Sequence, residues 1–210
     1  MITIALFNNK GGCGKSTAVI NIAFEIAKLG KRVMVADMDS QLNSFRFFAE
    51  KDSKTTYSGK TRYKNIDITC DKTCFIENYD YVIFDMPPAL NDNTRRIISM
   101  CDYVFVPIEL GTFSISGIAN VTEAIAATGA KFGGCFVNKF DRNNPSDHAL
   151  DELIWETLGS KAMSTKIPNS RVIKNSISYR LTAFEYMRWI DAAEAYARLT
   201  KEIIKICEGE

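Results

Sequence analysis

The chain has 210 residues, 46% of them apolar, which is enough for one domain with a two-sided core, expected to span residues 1–210. A net charge of +1 supplies no global field that would select a nucleic acid or a membrane surface. With one histidine, His148, and six scattered cysteines (13, 70, 74, 101, 135 and 207, of which Cys70 and Cys74 are the only close pair), a zinc site is not expected and free thiols in a reducing cytosol are.

Met1 to Phe7 is too short for a signal segment, and no apolar run reaches membrane-spanning length. Ile2 to Phe7 (ITIALF) reads as a first strand. It runs into Asn8–Thr17, NNKGGCGKST, and then into Ala18–Leu29, where Val19, Ile22, Ile26 and Leu29 recur at helical spacing. A strand, a glycine-rich turn and a helix opening on Gly-Lys-Ser is the setting of a phosphate-binding loop. Gly11, Gly12 and Gly14 let the backbone curl so that several N–H groups point inward, and the helix starting near Lys15 adds its positive end. Lys15 supplies a charge to the β- and γ-phosphates, and the Ser16 hydroxyl is a natural Mg²⁺ ligand. The usual pattern is GxxxxGKS/T; here Asn9 holds the first position and a second lysine, Lys10, follows it.

Gly30 is placed to end this helix. Arg32–Asp37 (RVMVAD) predicts a second buried strand leading into Asp37-Met38-Asp39-Ser40-Gln41, with both carboxylates on one side at the edge where α/β sheets bind ligands. Between residues 43 and 78, Phe45, Phe47 and Phe48 suggest a short helix on the core, and Lys51–Asp71 a loop with a small strand. Tyr81–Asp85 (YVIFD) is a third strand, four apolar residues ending in a carboxylate in the Walker B manner; Pro87 and Pro88 then force an extended turn. Helices follow at Asp92–Met100 and Phe113–Thr128, with strands at Tyr103–Ile108 and Lys131–Asn138. Asn138 is either a turn former or a reader of an adenine edge; the residues leave both open. Asn143-Asn144-Pro145 opens a helix through Leu158, Lys161–Pro168 reads as a last strand, and helical character runs with a break from Ser170 to Cys207. The alternation predicts an α/β fold: a mostly parallel, twisted sheet of about seven or eight strands with helices on both faces.

Taken together, KGGCGKST, DMDSQ and VIFDMPP resemble the ParA/MinD family of deviant Walker P-loop ATPases, essentially end to end. The length and the ending AYARLTKEIIKIC look most like the small plasmid-partition ParA proteins of the ParF type. The resemblance implies an ATP- and Mg²⁺-dependent, slow hydrolase in which Lys10 is the signature lysine, reaching the phosphates of the ATP held by the other subunit of a dimer formed on ATP binding. It implies that Gly11, Gly12, Cys13, Gly14, Lys15, Ser16 and Thr17 cradle the nucleotide, with Ser16 on Mg²⁺. Asp39 would position the attacking water, Asp37 would support the metal's water shell, Asp85 would be the Walker B carboxylate, and Asn138 and Pro168 would border the adenine. Two departures concern the interface and the base contacts: Ser40 replaces the usual proline, and IELGTFS after Pro107 lacks a second one. The thiol of Cys13, near the phosphates, would make activity sensitive to oxidation.

Between Ser160 and Phe184 lie five basic residues (Lys161, Lys166, Arg171, Lys174, Arg180) and no acid. Such a patch neutralises DNA phosphates without reading sequence, or is simply a solvated face. The resemblance favours DNA: a cytoplasmic, nucleoid-associated partition ATPase whose dimer binds non-specific DNA and whose hydrolysis is stimulated by a ParB- or ParG-like centromere-binding protein, with no stable membrane association. The alternative is a MinD-like positioning ATPase held to a membrane by a terminal amphipathic helix, which Ile203, Ile204 and Ile206 fit loosely. Iron–sulfur carriers share the loop, but neither Cys101 nor Cys135 is placed after Asp85 as those proteins require.

Overall fold

The computed structural model describes residues 1–49, 58–71, 78–111 and 114–209; Cys74, Phe113 and the start of the polar stretch from Lys51 lie outside the described residues. Among the described residues, β1 (Ile2–Leu6), β2 (Val33–Asp37), β3 (Ser58–Lys60), β4 (Ile66–Thr69), β5 (Tyr81–Asp85), β6 (Tyr103–Glu109) and β7 (Lys131–Asn138) form one sheet. Its order is β3-β4-β2-β5-β1-β6-β7. Every neighbouring pair is parallel except β3 with β4. The helices are α1 (Lys15–Lys28), α2 (Asn43–Phe48), α3 (Asp92–Ser99), α4 (Ser114–Ala126), α5 (Pro145–Leu158), α6 (Arg171–Ser178), α7 (Ala183–Tyr186) and α8 (Asp191–Glu208).

Strand alternation divides the core. Ile4 and Leu6 of β1 face a layer that includes Ile22 and Ile26 of α1, Phe47 and Phe48 of α2, and Tyr196, Leu199 and Ile203 of α8. Ala5 and Phe7 face the opposite layer, with Ile97 and Ile98 of α3, Val121 and Ile125 of α4, and Ile154 of α5. With both faces covered, β2 and β5 are buried at every residue, which is why they read as unbroken apolar runs. Asn91 and Asn144 cap α3 and α5 by accepting the N–H of Thr94 and Ser146, each worth about 1 kcal/mol.

Three expectations need correction. Leu29 does not continue the buried stripe of α1; it is the C-cap and 60% exposed, because the helix has already ended at Lys28. The polar stretch after Lys51 holds two strands, β3 and β4, and Ile66 and Ile68 are the buried alternation that marks the second. Lys161–Pro168 is not a strand. Met163 and Ile167 donate their N–H groups to Cys135 and Val137, but between them Ser164 and Thr165 are drawn off to Glu202 of α8, whose carboxylate accepts from Ser164 N at 3.0 Å, from Ser164 Oγ at 2.6 Å and from the Thr165 hydroxyl. Only isolated bridges remain, Cys135 with Ala162 and Phe140 with Pro168.

β7 carries one extra residue against β6: Val104 pairs with Phe132 and Phe105 with Gly134, so Gly133 is bulged. A Cβ on Gly133 would come within 2.6 Å of the fully buried Phe105 ring. Gly133→Ala is therefore expected to destabilise the protein by about 1–3 kcal/mol, read as a fall in Tm, and Phe105→Leu in the same chain should recover part of the loss. An unchanged Tm in the single variant contradicts this packing.

Candidate functional site

The carboxyl ends of the parallel strands share one edge, and the strand order reverses there around β1. Residues 8–14 leave β1 at this point. Gly14 is the N-cap of α1 with φ +90°, and a Cβ on it would sit 2.0 Å from Asn138 Nδ2, so both backbone and space demand glycine. No side chain caps α1, and the N–H groups of its first turn face the edge with no intrahelical acceptor. That is an anion site by construction.

Lys15 is buried, and its Nζ rests on the carbonyls of Asn8 (3.1 Å) and Lys10 (3.2 Å). The loop is tied down on two sides. Asn8 Nδ2 donates to Pro107 O at 2.8 Å while its Oδ1 accepts from Lys10 N at 2.9 Å. Asn138 Nδ2 donates to Cys13 O at 2.8 Å and its Oδ1 accepts from Lys139 N at 2.9 Å. Asn138 thus acts as a brace for the loop, a role absent from both sequence readings. Lys10 itself is exposed.

The carboxylates are not equivalent. Parallel pairing sets Asp37 beside Asp85. Asp37 is buried and turned inward, its Oδ1 accepting from Asp39 N (3.1 Å) and its Oδ2 from Phe45 N (2.8 Å) at the start of α2. Asp39 lies beyond the strand, half-buried, with Oδ1 accepting from Gln41 N at 3.0 Å. Asp85 is fully buried, and neither of its oxygens has a hydrogen-bond partner among the described residues. Burial and the neighbouring Asp37 push its pKa up to about 7; the Ser16 and Ser44 hydroxyls and Lys15 pull it down without closing a bond in the required geometry. Burial also raises Asp37. Ser44, whose hydroxyl is buried and likewise unpartnered among the described residues, was not anticipated; its only signal was its place seven residues after a buried aspartate.

Two cavities flank the loop. One of about 440 Å³ is lined by Lys15, Ser16, Asp39, Gln41, Asn43 and Pro88. The other, about 570 Å³, runs past Gly14 and Thr17 between Asn138, Pro168 and the α6 residues Lys174 and Ile177. Together they accommodate a polyphosphate and, beside it, a flat ring with its sugar.

The five basic residues do not form one patch. Lys161 is exposed on a single 3₁₀ turn, Arg171 and Lys174 stand on the exposed side of α6, and Lys166 pairs with Asp151 at 2.9 Å. Arg180 is turned inward onto Phe47 O and Ala49 O. Cys13 is also corrected: its thiol is fully buried and its pKa raised by that burial, so it is a poor target for oxidants. Cys101 is buried as well, its thiol pushed up to about 12.

Fold and site define a phosphate-loop nucleotide-binding protein of the α/β class. Residues 4–182 match the CobQ/CobB/MinD/ParA nucleotide binding domain, and the chain belongs to that family. It is 23% identical over 96% of its length to the chromosome-partitioning ATPase Soj of Thermus thermophilus, covering 94% of that protein. Its fold matches the septum site-determining protein MinD of Pyrococcus horikoshii, solved with Mg-ADP, at TM-score 0.83 and 17% identity, covering 98% of this chain and 96% of that one. A plasmid partition protein structure from Borrelia burgdorferi bound to AMPPNP matches at TM-score 0.78 and 18% identity, over 98% and 97% of the two chains.

The raised carboxylate has a consequence for the nucleotide-free protein. Burial and the neighbouring Asp37 hold Asp85 well above the ordinary carboxylate range in the folded state, up to about 7, so between the unfolded and folded values the folded state holds the extra proton and stability falls as pH rises. About three pH units at roughly 1.36 kcal/mol each give a loss of up to about 4 kcal/mol from pH 4 to pH 8, with Asp37 adding in the same direction. Denaturant unfolding across that range should show the decline in wild type and a much flatter profile in Asp85→Asn. An equal slope in both proteins rules out Asp85 as its source.

Proposed function

We propose that the chain is an ATP-dependent DNA-partition ATPase that uses Mg²⁺. The observation that carries the catalytic part is the buried, unpartnered carboxylate of Asp85 next to a phosphate loop and to the Ser16 hydroxyl. These are hard oxygen donors, and among the described residues no three acidic, histidine or cysteine side chains converge to make a closed cage. Such a half-built oxygen site suits Mg²⁺, which keeps waters and takes the remaining ligands from substrate phosphates. When bound there, Mg²⁺ neutralises charge on the β- and γ-phosphates. Ser16 and Asp85 would hold it, with Asp37 behind them. Gly11 to Thr17 would cradle the phosphates, Lys15 would leave its two carbonyls for them, and Asp39 would orient the attacking water. Asn138 and Pro168, which line the second cavity, would border the adenine, Asn138 while bracing Cys13.

Exposed Lys10 would add its charge to the ATP of a second subunit, so that a dimer closes on ATP and not on ADP. The partition role is supported by the likeness to Soj over nearly the whole chain. Lys161, Arg171 and Lys174 would meet non-specific DNA, and a ParB- or ParG-like centromere-binding protein would speed hydrolysis and release it. A membrane role is disfavoured by α8: Ile203 is fully buried, and Ile204 and Ile206 pack against the core.

Binding to random-sequence DNA at two salt concentrations tests this. Binding is expected with ATP·Mg²⁺, not with ADP, and Lys10→Ala should lose it. Neutralising Lys161, Arg171 or Lys174 should each lower the slope of log affinity against log salt by about 1, while Lys166→Gln leaves it unchanged. Absence of DNA binding in every nucleotide state sinks the partition role.

A further inference from the structure

The segment that lines the phosphate end of the site, Asp39 to Asn43, leads directly into α2, so the position of α2 sets the position of Asp39 and Gln41. Six residues do not make a stable helix on their own. Nor is α2 capped in the usual way: its N-cap Leu42 has φ +51° and no capping side chain, and the chain turns extended at Ala49. Its amino end is held by Asp37, through Phe45 N. Its carboxyl end has the buried rings of Phe47 and Phe48 and a bridge from Ala49 to Thr61, and its last carbonyls are met by one side chain from much later in the sequence. Arg180 Nε and Nη2 donate to Phe47 O at 3.1 and 2.9 Å, and Nη2 also reaches Ala49 O. A guanidinium on the last carbonyls of a helix meets both their free acceptors and the negative end of the dipole.

Arg180 is built for this reach. It has φ +54°, its own carbonyl accepts from Arg62 Nη2, and among the described residues its guanidinium is spent on backbone carbonyls. It sits two residues beyond α6, which carries Lys174 and Ile177 into the wall of the second cavity. One side chain therefore joins the wall of the nucleoside cleft to the helix behind Asp39.

We propose that Arg180 is a positioning residue for hydrolysis: it fixes α2, and through it Asp39 and Gln41, relative to the α6 wall. The proposal rests on the ATPase reading and replaces the DNA contact that the charge pattern suggested for this arginine. Loss of the clamp leaves phosphate loop and cavities intact but lets α2 drift, and misplacement of a water-orienting group by about 1 Å costs about a hundredfold in rate.

The test compares Arg180→Ala, Arg180→Gly and Arg180→Lys in the full chain, without DNA. Glycine removes the guanidinium while easing the left-handed backbone, so a loss it shares with alanine does not come from strain. Single-turnover ATP hydrolysis is expected to slow about tenfold or more in Ala and Gly, with ADP affinity within about twofold of wild type. Lysine, with one point charge in place of a fork, should recover part of the rate. Amide exchange in the nucleotide-free protein should show faster exchange across α2 in Ala and Gly. Unchanged exchange across α2 overturns the clamp whatever the ATPase does, including the case in which wild type does not hydrolyse ATP and the parent reading fails. Parallel loss of ADP affinity and rate overturns it in favour of general destabilisation. A parallel assay of the same variants with random-sequence DNA and ATP·Mg²⁺ completes the test: normal hydrolysis with lost DNA binding returns Arg180 to the DNA surface.

Discussion

Asp85 is the constraint around which the rest is arranged. It ends the central strand of a sheet covered on both faces, where a charge has no access to water. Parallel register then sets a second carboxylate, Asp37, beside it. Two adjacent buried acids are unfavourable, and the protein resolves them asymmetrically. Asp37 receives two backbone N–H groups and becomes part of the frame. Asp85 receives none among the described residues and stays poised, its acidity weakened by burial. A site that is destabilised when empty gains more on binding a cation, because binding removes a penalty already present in the fold.

The opposite charge is handled with the same economy. Among the described residues Lys15 makes no ion pair; two loop carbonyls hold its buried ammonium 3.1 and 3.2 Å away. Neutral carbonyls satisfy its protons without cancelling its charge, so the field that awaits an anion survives. The loop cannot relax around the lysine because Asn8 ties it to β6 and Asn138 ties it to the end of β7. The donors are thus fixed before any phosphate arrives, and little reorganisation remains for the binding step.

What the sequence reveals follows from how local each cause is. The phosphate loop is legible from its glycine spacing and Gly-Lys-Ser between a strand and a helix, and β2 and β5 because each is a contiguous apolar run ending in an aspartate. Strand β4 was obscured by its short length, four residues inside a polar stretch, although Ile66 and Ile68 mark its buried side. Lys161–Pro168 looks like a strand by composition, and nothing local shows that Glu202, some forty residues on, diverts its middle. The basic residues taken as one patch are separated by the same kind of distant partner: Lys166 by Asp151, Arg180 by the carbonyls of α2. Charge in a sequence counts groups; only the fold says which are already engaged.

The wall of the nucleoside cleft is joined to the body in a particular way. Ile173, Ile177 and Phe184 lean on the core from outside. The directed connections are polar: Asn21 Oδ1 accepts from Ala183 N at 2.8 Å, Tyr63 donates to Glu185 at 2.7 Å, Arg62 and Arg180 reach backbone carbonyls, and Thr182 and Glu185 cap each other. Hydrogen bonds of this kind are worth about 1 kcal/mol each and exchange partners without leaving a void, whereas close-packed side chains resist small displacements. At the phosphate end the close-packed sheet and α1 lie under the loop and the buried amides of Asn8 and Asn138 tie it to them, so its charges stay fixed. Exchangeable polar links hold the cleft wall, where a ligand must enter and leave. A contact such as Arg180 with α2 lies where the two regimes meet, so a small movement of the wall is felt at Asp39 without disturbing the sheet.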